Sequence, residues 1–60
     1  MAERQRTILV VDDEAPQRRL LGGFLQSLGL RIREAASAED ALTALRQEVP
    51  DMILLDVRLP

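Results

Sequence analysis

Three aspartates carry the chemistry that this sequence can do. Asp12 and Asp13 stand together after the apolar run TILVV, and Asp56 stands directly after a second apolar run, MILL. Acids at the carboxyl ends of parallel strands lie where open α/β sheets bind their ligands. Three carboxylates meeting in one shallow crevice repel one another unless one takes up a proton or a cation sits among them. A hard divalent cation suits the second case. Magnesium takes near-octahedral oxygen ligands and keeps several waters, so two carboxylates, a backbone carbonyl and a phosphoryl oxygen would satisfy it. Asp56 could then attack phosphorus as a carboxylate nucleophile while the metal neutralises charge on the transferring group. Each acid also has a plainer reading. The Asp12–Asp13 pair could be a solvated turn or complement a helix N-terminus, and Asp56 could simply terminate a strand. The three together favour a site.

What is missing narrows the chemistry further. All eight basic residues are arginine, and the sequence has no histidine and no cysteine. Mechanisms that need a lysine, histidine or thiolate from these residues are therefore excluded, as are disulfides. A net charge of -2 argues against a free-standing nucleic-acid binder. The charged opening MAERQRT and the lack of any apolar run near ~20 residues lead us to expect neither a signal peptide nor a membrane span. Together with the absence of cysteine, this points to a cytoplasmic protein.

The elements that must position the acids follow from hydrophobic spacing. Sixty residues accommodate one domain at most, and we read 1–6 as a polar segment and 7–60 as the domain. Residues 7–11 form an unbroken β-branched and aliphatic run, the mark of a strand buried on both faces. Leu20, Leu21, Phe24, Leu25 and Leu28 share one face of a helix that Pro16 can open and Gly29 can close, which makes this stripe the expected core face. Gly22 and Gly23 fall off the stripe, and each should cost the helix about 1 kcal/mol relative to alanine. Residues 30–35 alternate apolar and charged, as an edge strand does. Ser37 and Asp40 fit a capping box that starts a second helix near Ala38, with Ala38, Ala41, Leu42, Leu45 and Val49 as its apolar face and Pro50 as its stop. Ser37 thus reads as a cap and not as a nucleophile. Residues 52–55 read as a third strand, again covered on both faces. The fold class is α/β, running β-α-β-α-β. If the third strand joins the far side of the first, right-handed crossovers put the helices on opposite faces and the order is 2-1-3. The acids then gather at a topological switch point.

These segments together resemble a known family. ILVVDDE, SAEDAL and DMILLDVRLP are similar to the corresponding stretches of bacterial two-component response-regulator receiver domains, and the likeness covers nearly the whole chain. It implies a flavodoxin-like doubly wound parallel sheet, of which these residues would supply the N-terminal half. It also implies phosphorelay signalling: Asp56 would accept a phosphoryl group from a histidine kinase or phosphotransfer protein in a magnesium-dependent reaction. Asp12, Asp13, Asp56 and the backbone carbonyl of Arg58 would form the metal shell. The parent domain would promote only its own phosphorylation and dephosphorylation, and so would not be an enzyme acting on a separate substrate. Output such as transcription, and any contact with nucleic acid, would belong to an output domain. LLDVRLP is most similar to receivers that control enhancer-binding activators. The family uses its first helix in kinase docking, so Arg18 and Arg19 are candidate docking residues, with a solvated helix face as the plainer reading. In the family a hydroxyl residue and a lysine on two further strands complete the site, and neither is among these 60 residues.

Two readings from other classes compete. An aspartate-nucleophile phosphatase expects acid, one intervening residue, acid and then a hydroxyl residue, which DDEA does not supply. A non-phosphorylated dimerisation or interaction fragment, or a degenerate receiver, is the other, and the intact Asp12, Asp13 and Asp56 speak against degeneracy. An uncovered third strand would present unpaired backbone groups and apolar surface, so we expect a homo-oligomer in which that strand pairs with its copy.

Overall fold

The computed structural model describes residues 4–55. Its elements are β1 (Thr7–Val11), α1 (Ala15–Ser27), β2 (Arg31–Ala35), α2 (Ala38–Gln47) and β3 (Met52–Leu55). β1 pairs in parallel with both other strands, giving the order β2-β1-β3. Every residue of β1 is buried, as its unbroken apolar run requires of a central strand.

The strand starts are aligned by backbone bonds and one side chain. The Arg31 N–H donates to the Arg6 carbonyl at 2.8 Å, and the Asp51 N–H donates to the Thr7 carbonyl at 2.8 Å. In return the Asp51 carboxylate accepts the Thr7 N–H at 2.7 Å. The strand ends, where the acids stand, therefore come out level, with Val11 beside Ala35 on one side and Leu55 on the other.

Alternation along β2 shows which helix covers which face. Arg33 reaches α2, donating to the Ala44 carbonyl at 3.1 Å, whereas the next residue, Glu34, accepts from Arg18 of α1 at 2.8 Å. The helices thus lie on opposite faces, as in a doubly wound sheet. On the α2 face Leu9, Val11, Ala35 and Ala44 form a buried cluster, with Ala41 and Leu45 packed against it.

Helix ends are closed by local chemistry. At the end of α1 the Gly29 N–H donates to the Gln26 carbonyl and the Leu30 N–H to the Leu25 carbonyl, a Schellman arrangement. Gly29 takes φ +88, where a side chain would be strained. At the start of α2 the Ser37 hydroxyl oxygen accepts the Asp40 N–H at 3.1 Å. At its end Arg33 also donates to the Glu48 carbonyl and the Gln47 side chain.

Four expectations are corrected. Leu20 (77% exposed), Leu21, Phe24 (61%) and Leu28 are on the surface, and the only buried residue of α1 is Gly22. The cause is close approach: a Cβ on Gly22 would stand 3.3 Å from Ile32 Cγ2, so the bare backbone of the glycine is what lets α1 settle on β2. Of the stripe, Leu21 borders a hollow together with Leu54 and Leu55 of β3. On α2, Leu42 is exposed while Ala44 is buried, because a small residue lets that helix sit over β1 and β2, and Val49, expected on the same face, lies past the helix end at Gln47 and is exposed. Third, β3 is not covered on both faces among the described residues. Both helices pack on β1 and β2, leaving Met52, Ile53 and Leu55 exposed. β2 also begins one residue later than its alternation suggests, at Arg31, because the Leu30 N–H closes α1.

Candidate functional site

Asp12 continues the line of β1 and is held at three points. Its N–H donates to the Ala35 carbonyl at 3.1 Å, extending the ladder to β2 by one bond. Its carboxylate accepts the Glu14 N–H at 2.9 Å, a turn that aspartate makes with the backbone two residues on. Its carbonyl accepts from Arg18 Nη1 at 2.7 Å. The residue is only 3% exposed. Asp13, next in the same turn, is exposed to solvent.

Two hollows open beside this turn. One, of about 280 Å³, is lined by Val11, Asp12, Asp13, Ser37 and Leu55 among others. The second, of about 350 Å³, lies on the α1 side and includes Val10, Asp12, Gln17, Leu21 and Leu55. Asp12 and Leu55 border both, so the carboxyl ends of β1 and β3 form the divide between them. This is the place where the crossovers leave in opposite directions.

The structure therefore brings Asp12 and Asp13 together at the strand ends. Asp56 follows Leu55 in the sequence, and both Asp56 and Arg58 lie outside the described residues. Among the described residues no three acids are grouped to hold a metal. The donor set that is described is chemically suited to a hard cation, since both side chains supply carboxylate oxygens at the mouth of an open hollow. An ion would also ease the repulsion between two adjacent acids.

The two candidate docking arginines have different surroundings. Arg18 has a side chain only 14% exposed and lies between α1 and β2, with Nε donating to Glu34 Oε1 at 2.8 Å. Arg19 is on the solvent side. Sequence reasoning missed the link from Glu34 through Arg18 to the Asp12 carbonyl. The available signal was the alternation of Arg33 and Glu34 in an edge strand, which sends one charge to each face.

Comparison with known proteins adds the following. Residues 8–60 match the family described as the response regulator receiver domain. The chain is 42% identical over 60 residues to the probable transcriptional regulator ycf27 of Pyropia yezoensis, covering 100% of this chain and 25% of that protein. It is 42% identical over 55 residues to the phosphate regulon transcriptional regulatory protein PhoB of Pseudomonas aeruginosa, covering 92% of this chain and 24% of that one. It is 39% identical over 51 residues to the regulatory protein LuxO of Vibrio vulnificus, covering 85% and 11% respectively. The chain thus spans about a quarter or less of the length of these curated relatives. Their names do not favour the enhancer-binding kind of regulator over others.

Proposed function

This chain belongs to the response regulator receiver family, and on that premise we propose that it is the phosphate-accepting part of a phosphorelay protein, with Asp56 as the phosphoacceptor. The observation that carries the reading is the placement of Asp12 and Asp13 directly after Val11, which is paired in register with Leu55, the residue before Asp56.

In this reading Asp13, Asp56 and the Arg58 carbonyl would hold magnesium, with Asp12 in a supporting role. The engagement of the Asp12 carboxylate with the Glu14 N–H favours that division. When bound, the ion supplies charge neutralisation for the transferring phosphoryl group. A carboxylate oxygen of Asp56 attacks phosphorus, the bond from phosphorus to the donor nitrogen of a histidine kinase or phosphotransfer protein breaks, and its electron pair leaves with the donor imidazole. The domain modifies only itself and so is not an enzyme toward another substrate. Relatives named as transcriptional regulators favour a transcriptional output, carried on chain outside these residues. No helix among the described residues is long and apolar enough to cross a membrane, and a cytoplasmic setting suits a kinase-fed receiver. Arg19, exposed on α1, suits a docking role better than Arg18.

Intact-mass analysis of the full-length protein with acetyl phosphate and magnesium tests this function. One phosphoryl group is expected on the wild type and none on Asp56→Asn. A phosphoryl adduct persisting on Asp56→Asn would refute the assignment. A second reading, a non-phosphorylated association module, is favoured by the exposed apolar side chains of β3. A wild type that stays unmodified under the same conditions would support it.

A further inference from the structure

The Arg18 link has a consequence for the acidic turn that its charge alone would not suggest. Nη1 of Arg18 donates to the carbonyl oxygen of Asp12, and that oxygen belongs to the same planar peptide unit as the N–H of Asp13. Fixing this oxygen therefore fixes the direction in which Asp13 leaves the strand. Arg18 is itself held, since Nε donates to Glu34 of β2 at 2.8 Å. Glu34 in turn lies where α1 presents no side chain: a Cβ on Gly22 would stand 3.8 Å from its Oε2. A continuous path thus runs from the bare backbone of Gly22, through Glu34 and Arg18, to the peptide between the two acids.

We propose that Arg18 is a positioning residue for the cation-binding turn, setting the Asp12–Asp13 peptide so that the Asp13 carboxylate is presented in place for magnesium. The proposal rests on the reading of Asp13 as a metal ligand. Geometry and charge here predict opposite signs, which makes the role testable. As a mere positive charge near the acids, Arg18 repels a dication, so removing it should tighten magnesium binding. As a positioning group it orients a ligand, and removing it should weaken binding, as loss of outer-shell partners of metal ligands does.

The test is a titration of the full-length protein with magnesium chloride, followed by backbone amide shifts. Arg18→Ala is expected to raise the midpoint about tenfold, the low end for loss of such a partner. Arg18→Lys, which keeps the charge but not the paired donors, should fall between wild type and Arg18→Ala. Glu34→Gln, which loosens Arg18 without touching the turn, should raise the midpoint by a smaller factor. Arg19→Ala removes the same charge from the neighbouring exposed position and should not raise it. A thermal melt of each variant separates altered binding from altered folding, and Glu34→Gln and Arg18→Lys keep the test open if Arg18→Ala folds poorly. A midpoint unchanged or lowered in Arg18→Ala, with Asp13→Asn still weakening binding, would overturn the positioning role alone. If Asp13→Asn also left the midpoint unchanged, the metal reading of the turn would fall instead.

Discussion

β1 and β3 are written in nearly the same language and have opposite surroundings. TILVV and MILL are both unbroken apolar runs that end at an aspartate, yet every residue of β1 is buried while Leu55 is 62% exposed. The difference is one of neighbours. β1 has a strand on each side and a helix on each face, whereas β3 has β1 on one side and neither helix above or below it. An apolar run states that a strand is built to be covered, and only the surrounding elements decide whether these 60 residues do the covering.

The largest effect that would sharpen this contrast is expected from truncating the centre. Leu9 is fully buried between the sheet and α2, so Leu9→Ala should cost about 3 kcal/mol, in the middle of the range for such cavities. Leu55→Ala should cost less than about 1 kcal/mol, since most of that side chain already meets water. Chemical denaturation of residues 1–60 with each substitution measures both. Equal losses would mean that β3 is covered in solution and would erase the contrast.

The exposed strand also makes a prediction about association. Residues 1–60 in isolation should self-associate through β3, and Ile53→Lys, which places a charge on that strand, should weaken association at least about tenfold, or ~1.4 kcal/mol. Sedimentation at several concentrations reads this directly. A wild-type peptide that sediments as a folded single chain at all of them would break the inference that the uncovered strand seeks a partner.

Much of this arrangement was legible in the residues. Strand limits for β1 and β3, the cap at Ser37 and the closing glycine at Gly29 all follow from local chemistry, and local chemistry is where sequence speaks most directly. The two acids at the end of β1 were equally plain, and the topology places them at the switch point. The rotation of α1 was not legible. A stripe of Leu20, Leu21, Phe24 and Leu28 declares a face to be covered without saying by which element, and the contact at Gly22 depends on how near Ile32 stands across space. The Arg18–Glu34 pair was hidden for the same reason, because it exists only once that rotation is known.

The two adjacent glycines give a sharper and smaller test of that rotation. Gly23 has nothing within 4 Å of an added Cβ, so Gly23→Ala should gain about 1 kcal/mol from helix propensity alone. Gly22→Ala has the same intrinsic gain, but its methyl would meet Ile32 at 3.3 Å, tighter than ordinary contact. We expect the second variant to be less stable than the first by about 1 kcal/mol, measured as a difference in denaturant midpoint. Identical gains would mean that α1 does not lie this close to β2.

The smallest expected effect is electrostatic and lies at the far end of the sheet from the acids. Arg31 donates to both carboxylate oxygens of Glu48, at 2.8 and 2.7 Å, tying the start of β2 to the end of α2. This hydrogen bond first, and then the charge of Arg31, hold the Glu48 carboxyl below its ordinary value of 4.5. A carboxylate with a depressed folded-state value contributes stability that is complete above pH 4.5 and disappears as the pH falls through the lower folded-state value. Both groups are in contact with water, so the contribution is small and should shrink further in high salt. Glu48→Gln should therefore lower the melting temperature slightly near neutrality and leave it unchanged at low pH, where the wild-type carboxyl is protonated. Melting curves of the two proteins at pH values on either side of that range check this, and a difference that persisted unchanged into acid would assign the effect of Glu48 to packing instead of charge.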